Sequence, residues 1–191
     1  MDVEALSLEI DEHFGFASNW TFKPGEGCWQ LSGAINIDEA EIAGIISRAG
    51  VHASHGDLVT RFIAGHEKGH HLQEIIWPHR IYALEHHVME IEADLFGAWS
   101  LALMNTAISE GTVLTAVKQF DDANNIAKKL GIALGGPSGR SPHHPWAEQR
   151  EMALVKGPLL ALSYPSISDH STRAAFSREV QQSARRTQFG L

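Results

Sequence analysis

Residues 64–74 read AGHEKGHHLQE, with three histidines and two glutamates in eleven positions. Within them, His66-Glu67-Lys68-Gly69-His70 spells H-E-x-x-H. On a helix, side chains at i and i+4 share a face, so the two imidazoles can meet at one metal ion. Glu67 is rotated one residue off that face. It is therefore a neighbour of the ion rather than a ligand, and can take a proton from a bound water. Zinc lowers the pKa of such a water from about 15.7 to about 7, so a carboxylate beside it yields a nucleophile at neutral pH. The chain holds 12 histidines, and chance supplies spaced pairs. The plainer alternative is two exposed histidines flanking a solvated Glu-Lys.

A catalytic zinc needs a third protein ligand and one open position. Downstream, in MEIEADLFGAW, Glu90 and Asp94 lie four apart on the most apolar helical stretch of the chain. Two carboxylates beside an apolar helix core are costly unless paired or metal-bound. Glu90 is read as the third ligand. Asp94 is read as the group that orients one histidine through its other ring nitrogen. The alternative is a helix with one wet edge carrying Glu90, Glu92 and Asp94. Glu92 points away from the Glu90/Asp94 edge and is the weaker ligand candidate.

The elements that must position these residues follow from pattern and punctuation. Residues 1–16 suit a short helix. Trp20 and Phe22 alternate in an extended segment, Pro24 to Gly27 turn, and CWQLSGAINI reads as a returning strand. Asp38 caps a helix with Glu41 as its capping-box partner and Gly50 as its stop. Asp57 caps the motif helix and Pro78 ends it. HHVMEIEADLFGAWSLALMN is apolar on most faces and reads as a buried central helix. A surface helix to Gly131, a loop ALGGPSGRSPHHPW and two last helices, AEQREMALVKG and HSTRAAFSREVQQSARR, complete the chain. The expectation is one domain over 1–191, α+β and mainly helical, with a small N-terminal sheet.

A net charge of −8 argues against a general nucleic-acid binder. The start, MDVEALSLEIDEHF, lacks the basic region and apolar core of a secretory signal. The longest apolar run, LFGAWSLALM, falls short of the roughly 20 residues a membrane span needs. These features point to a soluble, cytoplasmic protein with no membrane partner, and no pattern sets an oligomeric state. The single cysteine, Cys28, excludes an internal disulfide and reads as a small buried residue rather than a thiolate that blocks a metal. His71 and Glu74 read as ordinary helix residues.

HEKGHHLQ followed by EIEAD resembles the gluzincin branch of zinc metallopeptidases, notably the CAAX-prenyl-protease and HtpX type and the neutral zinc metallopeptidases, and more distantly the ImmA/IrrE type. SPHHPWAEQR resembles the H-P-x-x-x-x-R segment that follows the ligand helix in several of these families. The resemblance covers about residues 57–156. It implies a zincin-like fold, a Zn²⁺ cofactor held by His66, His70 and Glu90, and a peptide or protein substrate. It also implies that His144 or Arg150 lines the site and polarises the scissile carbonyl. In such proteins an edge strand ahead of the motif helix pairs with the substrate, and GCWQLSGAINI is the candidate by position; the alternative for it is a plain hairpin. Lys68 stands where many relatives carry an apolar residue, which suggests a more exposed helix face. Three functions stay open: a zinc metallopeptidase, a zinc hydrolase for a dedicated precursor peptide or a non-peptide amide, and a non-catalytic zincin-like binding module.

Overall fold

The computed structural model describes residues 3–50, 52, 56–80, 82–107, 145 and 147–189. Among them the chain forms six helices and one three-stranded sheet. The elements are α1 (Val3–Phe14), β1 (Asn19–Thr21), β2 (Trp29–Leu31), β3 (Ala34–Asn36), α2 (Glu39–Ala49), α3 (Gly56–Ile76), α4 (Tyr82–Ala107), α5 (Ala147–Ser163) and α6 (His170–Phe189). The α+β, mainly helical class expected from the sequence is thus what the described residues show. The expected surface helix ending at Gly131, the loop after it and His144 lie outside the described residues.

Helix α4 is the centre of the molecule, packed against α3, α5 and α6. Its apolar faces explain this: Ile91, Ala93, Leu95, Phe96 and Trp99 are all fully buried. The α3–α4 crossing is close because glycines line it. A Cβ on Gly97 would stand 2.8 Å from the Phe62 carbonyl oxygen, and one on Gly69 would stand 2.9 Å from Phe96 Cβ. That approach brings the carboxylates of α4 to the histidines of α3. A similar contact seats α5: a Cβ on Gly157 would collide with Ala98 Cβ. Helix α5 does not stop at Gly157 as its sequence suggests. It continues through Pro158 to Ser163, because Leu160 and Ala161 still bury an apolar side.

The sheet order is β1-β3-β2, with β1 parallel and β2 antiparallel to β3. The returning segment is therefore two strands, not one. Ser32 and Gly33, both at positive φ, turn the chain between them. Strand β2 is an edge strand. The turn that leads into it is held by Asn36, which accepts from Lys23 N and donates to Gly27 O, and by Asp38, which accepts from Gly25 N and Gly27 N.

Asp38 caps α2 through Ala40 N and Glu41 N, and Gly50 ends that helix in the left-handed region. Glu41 does not close a capping box. Its carboxylate accepts from Cys28 N, and Asp38 N is occupied by the Cys28 sulfur. Asp57 lies inside the first turn of α3 rather than at its cap. Helix α4 carries a non-helical residue, Glu85, which separates its first turn from the long central part.

Lys68 corrects the sequence reading most clearly. It is fully buried, not exposed. Its ammonium donates to Asp11 Oδ1 (2.5 Å), the Phe16 carbonyl (2.6 Å) and Ser18 Oγ (2.7 Å), and stands 3.9 Å from the centre of the Phe16 ring. The N-terminal segment wraps this face of α3 and supplies three oxygens that satisfy the charge. Burial pulls the lysine down to about 8, with Asp11 opposing. No helix among the described residues is long and apolar enough to cross a membrane.

Candidate metal centre

Helix geometry places His66 and His70 on the side of α3 that faces α4, one turn apart. Their Nε2 atoms stand 3.2 Å from each other. Glu90 reaches in from α4, with Oε1 3.4 Å from His70 Nε2 and Oε2 3.7 Å from His66 Nε2. Ligand atoms about 2.0–2.1 Å from a tetrahedral zinc stand about 3.3 Å apart, so this triangle has the right size. His66, His70 and Glu90 thus form a group able to hold a metal ion.

The tautomers agree with that use. His66 Nδ1 faces Asp94 Oδ1 at 3.0 Å, and His70 Nδ1 faces Gln73 Oε1 at 3.0 Å. Both partners are acceptors, so both Nδ1 atoms carry the proton and both Nε2 lone pairs point into the triangle. Two lone pairs at this distance repel unless a cation lies between them. Burial opposes protonation of His70, but the hydrogen bond and charge of Glu90 outweigh it, and its pKa is raised to about 9. A proton is held where the donor set suits a metal.

No protein-family model matches the chain, and no curated protein or solved structure matches it significantly.

Asp94 is fully buried and lies behind His66, the one of the two histidines whose Nδ1 it faces. Arg150 does not open onto the cleft among its lining residues. It is buried behind the ligands, with Nη2 donating to Asp94 Oδ1 at 2.6 Å and Nη1 3.9 Å from Glu90 Oε2. Burial works against its charge, but Asp94 and Glu90 hold it above its usual value. Its place in the H-P-x-x-x-x-R segment therefore delivers a cation to the two carboxylates of α4. His86, one turn before Glu90, comes to 3.9 Å of Glu90 Oε1 and stays outside the ligand triangle.

Glu67 is 8% exposed and shares a cleft of about 780 Å³ with His66, His70 and Glu90. Burial raises its carboxyl pKa, with the histidines pulling the other way. Edge strand β2 lines the same cleft through Trp29, Gln30 and Leu31. Glu74 ties that strand to α3: it accepts from Gln30 Nε2 at 2.8 Å and from Ser32 N at 3.4 Å. Glu74 thus has a positioning task that its sequence context did not reveal. His71 is a scaffold residue, its Nδ1 2.6 Å from Ser18 Oγ. Cys28 is half-buried on the cleft wall, and burial pushes its thiol up to about 12, so it is a thiol and not a thiolate.

Sequence reasoning missed Gln73, Glu92 and Arg80. Gln73 Nε2 donates to Met89 O and to Glu92 Oε2, and Arg80 Nη1 donates to the same Glu92 oxygen. Glu92 is not a wet edge; it is fully buried. The available signal was an acid on an apolar helix with an arginine and a glutamine near the end of the preceding one.

Proposed function

We propose that this chain is a zinc-dependent metallopeptidase in which His66, His70 and Glu90 hold the ion and Glu67 is the general base. The observation that carries this reading is the pair of locked histidines converging with Glu90, beside a buried acid on the wall of an open cleft. Bound there, zinc supplies Lewis-acid polarisation of a water molecule and of the substrate carbonyl. Glu67 takes the proton of the attacking water on a carboxylate oxygen and returns it to the leaving amine. Asp94 and Arg150 keep His66 and Glu90 in place. His144 keeps the carbonyl-polarising role that its motif implies.

A peptide is favoured as substrate because β2, one of the sheet's two edge strands, lines the same cleft. Its free edge can pair with an extended chain. Trp29 and Leu31 on β2, with Trp77 and Met89 in the same lining, offer apolar contact to side chains flanking the bond. The three motif segments that resemble gluzincins support the same class.

The test is hydrolysis of casein and a peptide library by the zinc-loaded protein, with and without chelator. Cleavage that is lost with chelator and in Glu67→Gln, while Glu67→Gln still holds zinc, supports the reading. A fully active Glu67→Gln protein would sink the mechanism. Cleavage confined to a narrow set of sequences would narrow it to a dedicated precursor, and zinc binding without turnover would reduce the chain to a binding module.

A further inference from the structure

The carboxamide of Gln73 is enclosed, with the residue 1% exposed. Its Nε2 donates to the Met89 carbonyl at 2.8 Å and to Glu92 Oε2 at 2.9 Å. Both must be acceptors. A carbonyl has no proton to give, and Glu92 Oε2 also accepts from Arg80 Nη1 at 2.6 Å, a group that only donates. Flipping the amide would set its oxygen against two other oxygens. Gln73 Oε1 therefore stands fixed as the acceptor for His70 Nδ1 at 3.0 Å.

We infer that Gln73 is a positioning residue of the metal centre, holding His70 in the Nδ1–H form with Nε2 turned to the ion, and that the Glu92–Arg80 pair fixes Gln73 for this task. The inference rests on the metal-centre reading above. The two ligand histidines then have parallel supports of different kind. His66 is backed directly by the Asp94 carboxylate with Arg150 behind it. His70 is backed by a neutral amide, with the carboxylate of Glu92 and the guanidinium of Arg80 one step further away. A carboxylate at position 73 would add another negative charge to a site that already holds Glu67, Glu90 and Asp94, and would face Glu92. The amide supplies the acceptor without that charge. The relay ends at the cleft wall, where Arg80 lies 5.2 Å from the centre of the Trp77 ring.

The experiment uses the full chain, stripped by chelator and titrated with Zn²⁺ against a chromophoric competitor. Gln73→Met should weaken zinc binding by about 10–100-fold, the usual effect of removing such a partner. Ser18→Ala, which removes contacts to His71 and Lys68 on the same helix, should leave zinc affinity unchanged. Should Gln73→Met fail to fold, long-range ¹H–¹⁵N spectra of the zinc-loaded wild type still decide: His70 should be protonated at Nδ1, with that proton protected from exchange. Undiminished zinc affinity in a folded Gln73→Met protein, or a His70 Nδ1 proton that exchanges freely with solvent in the loaded protein, overturns the inference while leaving the metal centre standing. A wild type that takes up no zinc removes the centre itself, and the role of Gln73 with it.

Discussion

His66 and His70 face each other through Nε2 atoms 3.2 Å apart, and neither ring is free to turn away. Asp94 holds one from behind and Gln73 the other. The arrangement suits a cation, and in the metal-free protein Glu90 raises the His70 pKa to about 9, so that a proton takes that place at neutral pH. Most of the testable consequences follow from what displaces that proton and what keeps the rings in place.

Zinc uptake should release a proton. His70 has a folded pKa of about 9, above its ordinary value of 6.5, so it is protonated at pH 7 and must lose that proton to ligate. Zinc affinity is expected to rise with pH up to about 9 and to level off above it. Calorimetric titration at pH 7 in buffers of different ionisation enthalpy should return about one proton per ion. In the metal-free protein the sign reverses. A raised histidine pKa contributes stability fully present below 6.5 and lost as pH rises through about 9. His70→Gln should flatten that part of the metal-free stability profile in denaturant titrations.

Asp94→Ala should be costly twice over. It removes the anion opposite buried Arg150 and the acceptor behind His66. Breaking a buried ion pair from one side costs about 3–5 kcal/mol, to be read from urea unfolding of the metal-free protein. Loss of a histidine's outer partner costs about 10–100-fold in metal affinity, to be read by competition titration. Stability and affinity both at wild-type levels would contradict the placement of Arg150 and Asp94 behind the site.

Gly97→Ala tests the helix crossing. The new Cβ would stand 2.8 Å from a backbone oxygen of α3, so α3 and α4 must separate. Overpacking of this kind costs about 1–3 kcal/mol, and the separation should also lower zinc affinity by moving Glu90 away from the histidines. Gly44→Ala is the contrast. Only the flexible end of Arg48 is near, at 3.3 Å, and alanine favours a helix interior, so stability should hold or rise by up to about 1 kcal/mol.

The parts of the site legible in the sequence are those set by local periodicity. His66, Glu67 and His70 follow from helical spacing alone, and Glu90 and Asp94 stood out as acids on an apolar helix. What could not be read depends on how helices meet. Gln73 and Glu92 become partners only because glycines on α3 and α4 let the two helices touch, and Gly65, Gly69 and Gly97 were a signal in plain view. The burial of Lys68 has no local signal because the segment that covers it lies some fifty residues earlier in the chain. The hairpin β2–β3 reads as one strand in the sequence because the break at Ser32–Gly33 is set by backbone conformation, which hydrophobic alternation does not report.

Lys68→Met checks that correction. Removing the ammonium takes one of three donors from the half-buried Asp11, with Ser18 N and Trp20 Nε1 remaining, and the protein should lose about 1–3 kcal/mol in urea unfolding. An exposed lysine would cost almost nothing.

The most direct measurement is the metal content of the purified protein by atomic absorption, for the wild type and three variants. The account predicts one zinc per chain in the wild type and in Glu67→Gln, and loss of that zinc in His70→Ala and Glu90→Ala. A wild type without stoichiometric metal, or a Glu90→Ala protein that holds zinc undiminished, would contradict it.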